Sequence, residues 1–237
     1  WIGFENQTLQ ILVKGEKINQ YNVSVDYPGV NLKQVHKADS ENYLFVDLNI
    51  SNLSEPGIFK LKFKSANREL EYNYKLDNKR NLNEQNNGFD SSDVIYLITP
   101  DRFANGNYSN DIVKGLKEDR INRDDNYARH GGDLQGITDN IDYLKDMGFT
   151  SLWLNPVLIN DMKEGSYHGY ATTDYYTVDP RLGTMEDYLN LSTIAEKNNI
   201  KLIKDIIVNH CGLYHWWMDD LPFDDWLNFQ EIYLNST

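Results

Sequence analysis

The pattern of apolar residues changes near residue 85, and this change divides the 237-residue chain into two kinds of fold. Before it, short runs rich in β-branched and aromatic residues are separated by turn signals such as Pro28-Gly29 and Pro56-Gly57. After it, strand-sized apolar runs alternate with helical periodicity, which is typical of parallel α/β units. Residues 77–92 are polar and lack apolar periodicity, so they indicate a linker.

Residues 1–85 are predicted to form a small β-sandwich. In the run 43–50, Leu44, Val46, Leu48 and Ile50 alternate with the other side chains, so these four can line one buried face. Several short strands at this spacing are typical of a sandwich. The clearest of these runs are residues 9–13, 21–25, 43–50 and 57–63.

Residues 86–237 are predicted to form an α/β domain, with strands over residues 94–98, 151–154 and 202–208. Three strands do not close a barrel, and a (β/α)8 barrel alone needs roughly 250 residues. The pattern by itself therefore leaves a doubly wound sheet and the start of a barrel open. Helical spacing joins Leu134, Ile137, Ile141 and Leu144, and Thr184 can cap a helix that carries Tyr188, Leu191 and Ile194.

The formal net charge of −13 indicates which classes of partner to expect. It argues against nucleic acid and anionic membrane surfaces, because both bind clustered Lys and Arg. No apolar stretch is long enough to insert into a bilayer. The single cysteine, Cys211, excludes an internal disulfide framework. A neutral partner such as a sugar is compatible with this composition.

Polar and aromatic residues gather where two predicted strands end. Asp205, Asn209 and His210 come with the third strand, at the edge where parallel α/β proteins place their sites. These groups can hydrogen-bond sugar hydroxyls, although an ordinary capped turn has the same composition. Tyr170, which follows the second strand, offers an apolar ring face suited to a pyranose, and it also suits simple packing.

Taken together, four segments of the second part resemble the α-amylase family of glycoside hydrolases (family 13). They are residues 96–106, 130–136, 167–176 and 205–210, in the family's order. Residues 1–85 resemble the N-terminal β-sandwich of cyclomaltodextrinases and neopullulanases, most clearly over residues 22–30. The resemblance implies that the second part is the beginning, about three strands, of a (β/α)8 barrel.

The same resemblance implies a function. A protein of this type cleaves α-1,4-glucosidic bonds with retention, in cyclodextrin, pullulan or linear maltodextrin. Tyr170 would stack on the sugar that is cleaved, His210 and His168 would bind its hydroxyls, and Asp205 would orient the site. The family's nucleophile Asp and acid/base Glu follow the fourth and fifth strands, so we expect them beyond Thr237 and expect this stretch alone to be inactive. The alternative is a non-catalytic carbohydrate-binding or scaffold protein.

The resemblance favours a calcium site in the loop over residues 105–111. This loop is rich in amide and carboxylate oxygens, which Ca²⁺ prefers, although such a composition is also common in turns. A zinc site is not predicted, because His210 and His215 lack the Glu of the zincin pattern. The calcium ligands that the resemblance implies are Asn105, Asn107, Asn110, Asp111, the Gly131 carbonyl and Asp133.

The resemblance also bears on assembly and location. It implies a homodimer through the N-terminal domain. It favours a periplasmic or otherwise exported location, with a cytoplasmic location as the alternative.

Overall fold

The computed structural model describes residues 1–78 and 88–228, which form two compact units. Residues 1–78 together with 220–228 form the first unit, and residues 88–219 form the second. The predicted domain boundary at residue 85 and the centre of the predicted linker lie outside the described residues. No helix among the described residues is long and apolar enough to span a membrane.

The first unit is a sandwich of antiparallel sheets, which confirms the predicted fold. Its strands are β1 (Thr8–Lys14), β2 (Asn22–Val25), β3 (Val30–Lys37), β4 (Tyr43–Ile50), β5 (Gly57–Lys64) and β6 (Glu69–Leu76). One sheet has the order β1-β4-β3, and the other has the order β2-β5-β6. Each sheet therefore has a long central strand, β4 or β5, paired on both sides.

The core of the sandwich follows the alternation of β4. Leu44, Val46 and Leu48 are fully buried, as the pattern predicted. Phe59 and Leu61 of β5 belong to the same buried cluster. Two apolar faces that would each be costly to expose thus cover one another.

Residues 220–228 pack against the beginning of β4, on the face opposite Leu44 and Val46. The Tyr43 hydroxyl donates a hydrogen bond to the Asp220 carbonyl over 2.7 Å, and Asn42 Nδ2 donates to the Asp220 carboxylate over 2.9 Å. The Phe45 and Phe223 rings stack with centroids 5.6 Å apart. The short segment is therefore an integral part of the first unit.

The second unit contains a parallel sheet with helices packed against it. Its strands are β7 (Ile95–Ile98), β8 (Ser151–Leu154), β9 (Leu158–Ile159), β10 (Asp174–Val178) and β11 (Lys201–Lys204). Its helices are α1 (Pro100–Phe103), α2 (Leu134–Asp139), α3 (Ile141–Asp146) and α4 (Met185–Lys197). The parallel sheet has the order β7-β8-β11, while β9 and β10 form a separate antiparallel pair. The three predicted parallel strands are present and adjacent.

One predicted helix is broken into two. The apolar positions Leu134, Ile137, Ile141 and Leu144 are all buried, as their spacing predicted. However, the chain turns at Asn140, whose side chain donates to the Gly136 carbonyl over 2.7 Å, and α2 ends there before α3 begins. The periodicity continues across the break, so it predicts the buried face and not the break.

Helix α4 begins at the predicted cap. Thr184 Oγ1 accepts the Asp187 N–H over 3.2 Å, and Asp187 Oδ2 accepts the Thr184 N–H over 2.7 Å, which is a complete capping box. Leu191 and Ala195 are fully buried, while Tyr188 and Ile194 pack against the same core.

The third parallel strand is shorter than predicted. It ends at Lys204 and not at Val208, because its pairing partner β8 already ends at Leu154, opposite Lys204. Beyond this point Ile206 is 57% and Val208 is 88% exposed. The prediction of a strand over residues 202–208 is therefore wrong after Lys204.

Candidate functional site

The carboxyl ends of β8 and β11 lie side by side, and Asp205 directly follows β11. Tyr170, from the long connection after β8, donates its hydroxyl to Asp205 Oδ2 over 3.0 Å. Trp153 Nε1 donates to the same oxygen over 3.2 Å. The Asp205 carboxylate is therefore occupied in holding two aromatic side chains at the sheet edge.

His168 supports Tyr170 from the other side. Its Nδ1 accepts the Tyr170 N–H over 2.9 Å, and the two rings stack with centroids 5.9 Å apart. Asn155 Nδ2 fixes the His168 carbonyl over 3.2 Å. Burial lowers the pKa of His168, while the negative charge of Glu118 opposes this. The neutral ring accepts at Nδ1 and so carries its proton at Nε2, where it can donate.

His210 completes the arrangement. Its Nε2 pairs with the Tyr170 carbonyl over 2.9 Å, and its own carbonyl accepts the Tyr175 hydroxyl over 2.6 Å. The predicted sugar-binding residues are thus brought together around one tyrosine. We name His168, Tyr170, Asp205 and His210 the tyrosine platform.

Asp174 has a different role from the platform. Its Oδ1 accepts the Tyr176 N–H over 2.7 Å, and its Oδ2 accepts the Thr177 hydroxyl over 3.1 Å. These bonds tighten the chain at the start of β10. Asp174 is therefore engaged in local hydrogen bonds within this strand.

The predicted metal loop is organised around Asp133. This carboxylate caps α2 by accepting the Gly136 N–H over 2.7 Å. It also accepts the backbone N–H groups of Gly106 and Asn107, over 3.0 and 2.9 Å, and Asn110 Nδ2 over 3.4 Å. Four donors therefore occupy the lone pairs of this one carboxylate.

The other predicted ligands have oxygens that suit a hard cation. Asn105 Oδ1 and Asn110 Oδ1 are buried and lack a hydrogen-bond partner among the described residues. Asn105 Nδ2 donates to Asp111 Oδ1 over 2.6 Å. A β-carbon at Gly131 would lie 2.9 Å from that same oxygen, so the Gly131 backbone borders the loop. An all-oxygen set with two orphaned amide oxygens fits Ca²⁺.

The Asn107 side chain bonds to its neighbour Ser109, and the donors of the loop differ from those that zinc prefers. Asn107 Oδ1 accepts both the N–H and the hydroxyl of Ser109, over 3.1 and 2.6 Å, and so caps a short 3-10 turn. Within residues 1–78 and 88–228, no three His, Cys, Asp or Glu side chains are arranged so that they could hold a metal ion. The predicted ligands of the loop offer amide, carbonyl and carboxylate oxygens, without the nitrogen and sulfur that zinc prefers.

Sequence reasoning missed a buried group of charges beneath the platform. Asp179 receives two hydrogen bonds from the Arg181 guanidinium, over 2.9 and 2.7 Å. Burial raises the pKa of Asp179, but the bonds and charge of Arg181 outweigh this, so its pKa lies below the usual value. Asp179 and Arg181 are only two residues apart, but Arg181 also donates to the Glu118 carbonyl across 63 residues, and no local pattern predicts that contact.

Comparison with known protein families shows to which family the chain belongs. The α-amylase catalytic-domain family matches residues 97–225, and the cyclomaltodextrinase N-terminal family matches residues 1–81. Because the first match alone covers more than half of the 237 residues, the chain belongs to the α-amylase family. The resemblance predicted from the four motif segments is confirmed, and the second unit is the first part of a (β/α)8 barrel.

The names of several individual relatives indicate which enzymes this chain resembles. A cyclomaltodextrinase from Thermoanaerobacter pseudethanolicus is 38% identical over 145 residues, covering 58% of this chain and 24% of the relative. Neopullulanase 2 of Thermoactinomyces vulgaris is 33% identical over 154 residues, covering 61% and 25%. A crystal structure of an Anoxybacillus α-amylase is 44% identical, with a TM-score of 0.49, and the match covers 54% of this chain and 26% of that one. The chain therefore spans about a quarter of these relatives.

Proposed function

We propose that the protein containing this chain hydrolyses α-1,4-glucosidic bonds with retention, acting on cyclodextrin, pullulan or linear maltodextrin. The tyrosine platform at the carboxyl edge of the parallel sheet carries this proposal. Membership of the α-amylase family and relatives named cyclomaltodextrinase and neopullulanase support it.

The residues of the tyrosine platform hold the Tyr170 ring in one orientation. Tyr170 is fixed at its hydroxyl by Asp205, at its N–H by His168 and at its carbonyl by His210. A ring that is already ordered loses little conformational freedom when a pyranose stacks on it, so binding is less costly. In this proposal His168 and His210 also hydrogen-bond the hydroxyls of that sugar.

The proposed chemistry needs carboxylates other than those of the platform. A retaining hydrolase uses a nucleophile and an acid about 5–5.5 Å apart. Asp205 already accepts two hydrogen bonds, and both oxygens of Asp174 accept local bonds within β10. We therefore assign the nucleophile and the acid to parts of the protein beyond Thr237. In this reading the 237-residue chain binds sugar and does not cleave it.

We further propose that the loop after β7 holds Ca²⁺. The two orphaned amide oxygens of Asn105 and Asn110 support this most directly. When bound, the ion supplies positive charge that holds the loop together and takes no part in bond cleavage. Asn107 and Asp133 can bind the ion only through oxygens that already accept hydrogen bonds. The proposed ligands are Asn105, Asn107, Asn110, Asp111, the Gly131 carbonyl and Asp133.

We also propose a homodimer through the first unit. Large apolar side chains are exposed on it, including Leu53 at 91%, Ile58 at 65% and Tyr72 at 60%. Sedimentation equilibrium gives twice the monomer mass if the proposal is right, and the monomer mass at all concentrations if it is wrong.

The proposed function is tested by binding and by turnover. Calorimetry with β-cyclodextrin compares the chain with Tyr170→Ala and with Tyr176→Ala, a nearby tyrosine that is 79% exposed. We expect binding that Tyr170→Ala abolishes and Tyr176→Ala leaves intact. No binding by the unaltered chain would overturn the platform as a sugar site.

Sugar release from cyclomaltodextrin is then measured on the 237-residue chain, after its mass has been verified. We expect none, and clear turnover would overturn the assignment of the acid and nucleophile. A longer protein that contains this chain is expected to cleave the sugar. Binding without cleavage by that longer protein would favour the non-catalytic carbohydrate-binding or scaffold alternative.

A further inference from the structure

A cluster of charged side chains lies beneath the turn that displays His168 and Tyr170. Five of its six members are at most 4% exposed, and the sixth, Arg102, has 23% of its side chain exposed. The three acids and three bases balance in charge, which offsets the high cost of burying each ion. We name the buried ion cluster from its members, which are Asp101, Arg102, Glu118, Arg129, Asp179 and Arg181.

Glu118 is the member that reaches the platform turn. Its Oε2 accepts the Ser166 N–H over 2.8 Å, across 48 residues of sequence. Ser166 begins the 3-10 turn Ser166–His168, and its carbonyl accepts Asn160 Nδ2 over 3.1 Å. The first residue of the turn is therefore clamped on both sides by buried groups.

The rest of Glu118 is held in place by Arg181. Arg181 Nη1 donates to the Glu118 carbonyl over 3.4 Å, and Arg181 Nη2 donates to the Asn160 carbonyl over 2.9 Å. The same guanidinium is locked to Asp179 by two further bonds. The backbone of Glu118 is thus held in place, and its carboxylate extends from this fixed point.

A second contact runs from the cluster to the platform through aromatic rings. The Arg102 guanidinium lies 3.9 Å from the centre of the Tyr167 ring. Tyr167 then meets His168 edge to face at 5.4 Å, and His168 stacks on Tyr170. The residues just before His168 are therefore tied to the buried charges by one hydrogen bond and one ring contact.

Glu118 is 4% exposed and its carboxylate accepts a backbone N–H, so its effect on a bound sugar can only be indirect. We propose that Glu118 is a positioning residue: by holding the Ser166 N–H, its carboxylate sets the orientation of His168 and Tyr170 that α-glucan binding requires. This inference rests on the proposed function.

The test compares Glu118→Ala with Glu118→Gln in the 237-residue chain, using β-cyclodextrin calorimetry. We expect Glu118→Ala to weaken binding about tenfold, since the Ser166 N–H loses its acceptor. Glu118→Gln retains an oxygen that can accept the same N–H, so we expect its affinity to stay within about threefold of the unaltered chain.

Two control variants separate positioning from general damage. Glu164→Ala removes an exposed acid from the same connection, and Thr184→Ala weakens the cap of α4. Both are expected to bind sugar as the unaltered chain does. If folded Glu118→Ala also binds with unaltered affinity, or if Glu118→Gln is as weak as Glu118→Ala, the proposal is overturned.

A measurement without sugar decides the matter independently. NMR follows hydrogen exchange of the Tyr170 amide, which donates to His168 Nδ1. We expect exchange about tenfold faster in Glu118→Ala and nearly unaltered in Glu118→Gln. Unaltered exchange in Glu118→Ala overturns the proposal. Because no sugar is used, failure of the unaltered chain to bind β-cyclodextrin overturns the proposed function and leaves this test intact.

Discussion

The Tyr170 hydroxyl lies 3.0 Å from Asp205 Oδ2, so the aromatic ring proposed to meet the sugar is anchored by a carboxylate. Burial raises the pKa of Tyr170, and the hydrogen bond to Asp205 and its negative charge raise it further. An ionised phenol would lose its donated bond and face a like charge. The pair therefore keeps Tyr170 neutral and fixed.

Asp205→Asn is expected to lower the pKa of Tyr170 towards its ordinary value of 10.0. The substitution removes the negative charge that opposes ionisation of the phenol. NMR of chain labelled with ¹³C at tyrosine Cζ measures this, because the 16 tyrosines can then be followed separately. Tyr170→Phe assigns the signal. An unaltered titration of Tyr170 in Asp205→Asn would show that Asp205 does not influence the phenol.

His168 is expected to make the chain less stable in acid. Burial lowers its pKa below 6.5, so the unfolded chain takes up the proton first as the pH falls. The stability contributed by the neutral ring is complete above pH 6.5 and is lost as the pH falls through the lowered pKa. Melting of the chain and of His168→Gln is compared at pH 7.5 and pH 5. The advantage of the unaltered chain should shrink at pH 5, and a constant or growing difference would contradict this.

Calcium is expected to stabilise the chain through Asn110. Saturating Ca²⁺ should raise the melting temperature by about 5 °C or more relative to a chelator, since a ligand bound only to the folded state stabilises it. Asn110→Ala removes an orphaned amide oxygen and should abolish this increment. Asn190→Ala, on an exposed face of α4, is the matched control and should retain it. An equal increment in Asn110→Ala would exclude Asn110 as a ligand.

The sequence predicts well those features that repeat locally. Leu44 and Val46 are buried because strands alternate, and Leu134 and Ile137 are buried because helices repeat every three to four residues. Motif spacing likewise predicted that Tyr170 and its neighbours gather at one sheet edge. In each case the information lies within a few residues along the chain or at the ends of adjacent strands.

Contacts between distant segments were not predictable in this way. Glu118 meets Ser166 across 48 residues, and Tyr43 meets Asp220 across 177. Nothing local to either residue specifies the partner. The third strand was predicted to be too long for the same reason. Val208 continues an apolar run, but strand pairing stops where β8 ends.

The cap of α4 is expected to contribute about 1 kcal/mol to the free energy of unfolding. Thr184→Ala removes the hydroxyl that accepts the Asp187 N–H. Thr193→Ala is the matched control, because its hydroxyl only bonds back to the Leu189 carbonyl on the exposed face. Urea unfolding of both variants measures the difference. Equal stability of Thr184→Ala and Thr193→Ala would contradict a role for the capping box.

Gly169 lies between His168 and Tyr170, and its backbone explains why a glycine stands there. Its φ of +81° lies in the left-handed region, and a β-carbon would collide with the Pro156 carbonyl oxygen. Gly148 has a similar φ of +86° but nothing within 4 Å of the same position. The two glycines therefore differ in packing and not in backbone conformation.

Gly148→Ala is expected to cost about 1 kcal/mol, the strain of a left-handed alanine, and to leave sugar binding intact. Gly169→Ala carries that strain and must also displace either the Pro156 carbonyl or the turn holding His168. We therefore expect a loss of roughly 3 kcal/mol or more in unfolding free energy, together with weaker β-cyclodextrin binding. Urea unfolding and calorimetry measure both quantities. If Gly169→Ala matches Gly148→Ala in stability and affinity, the close approach of Pro156 does not shape the platform.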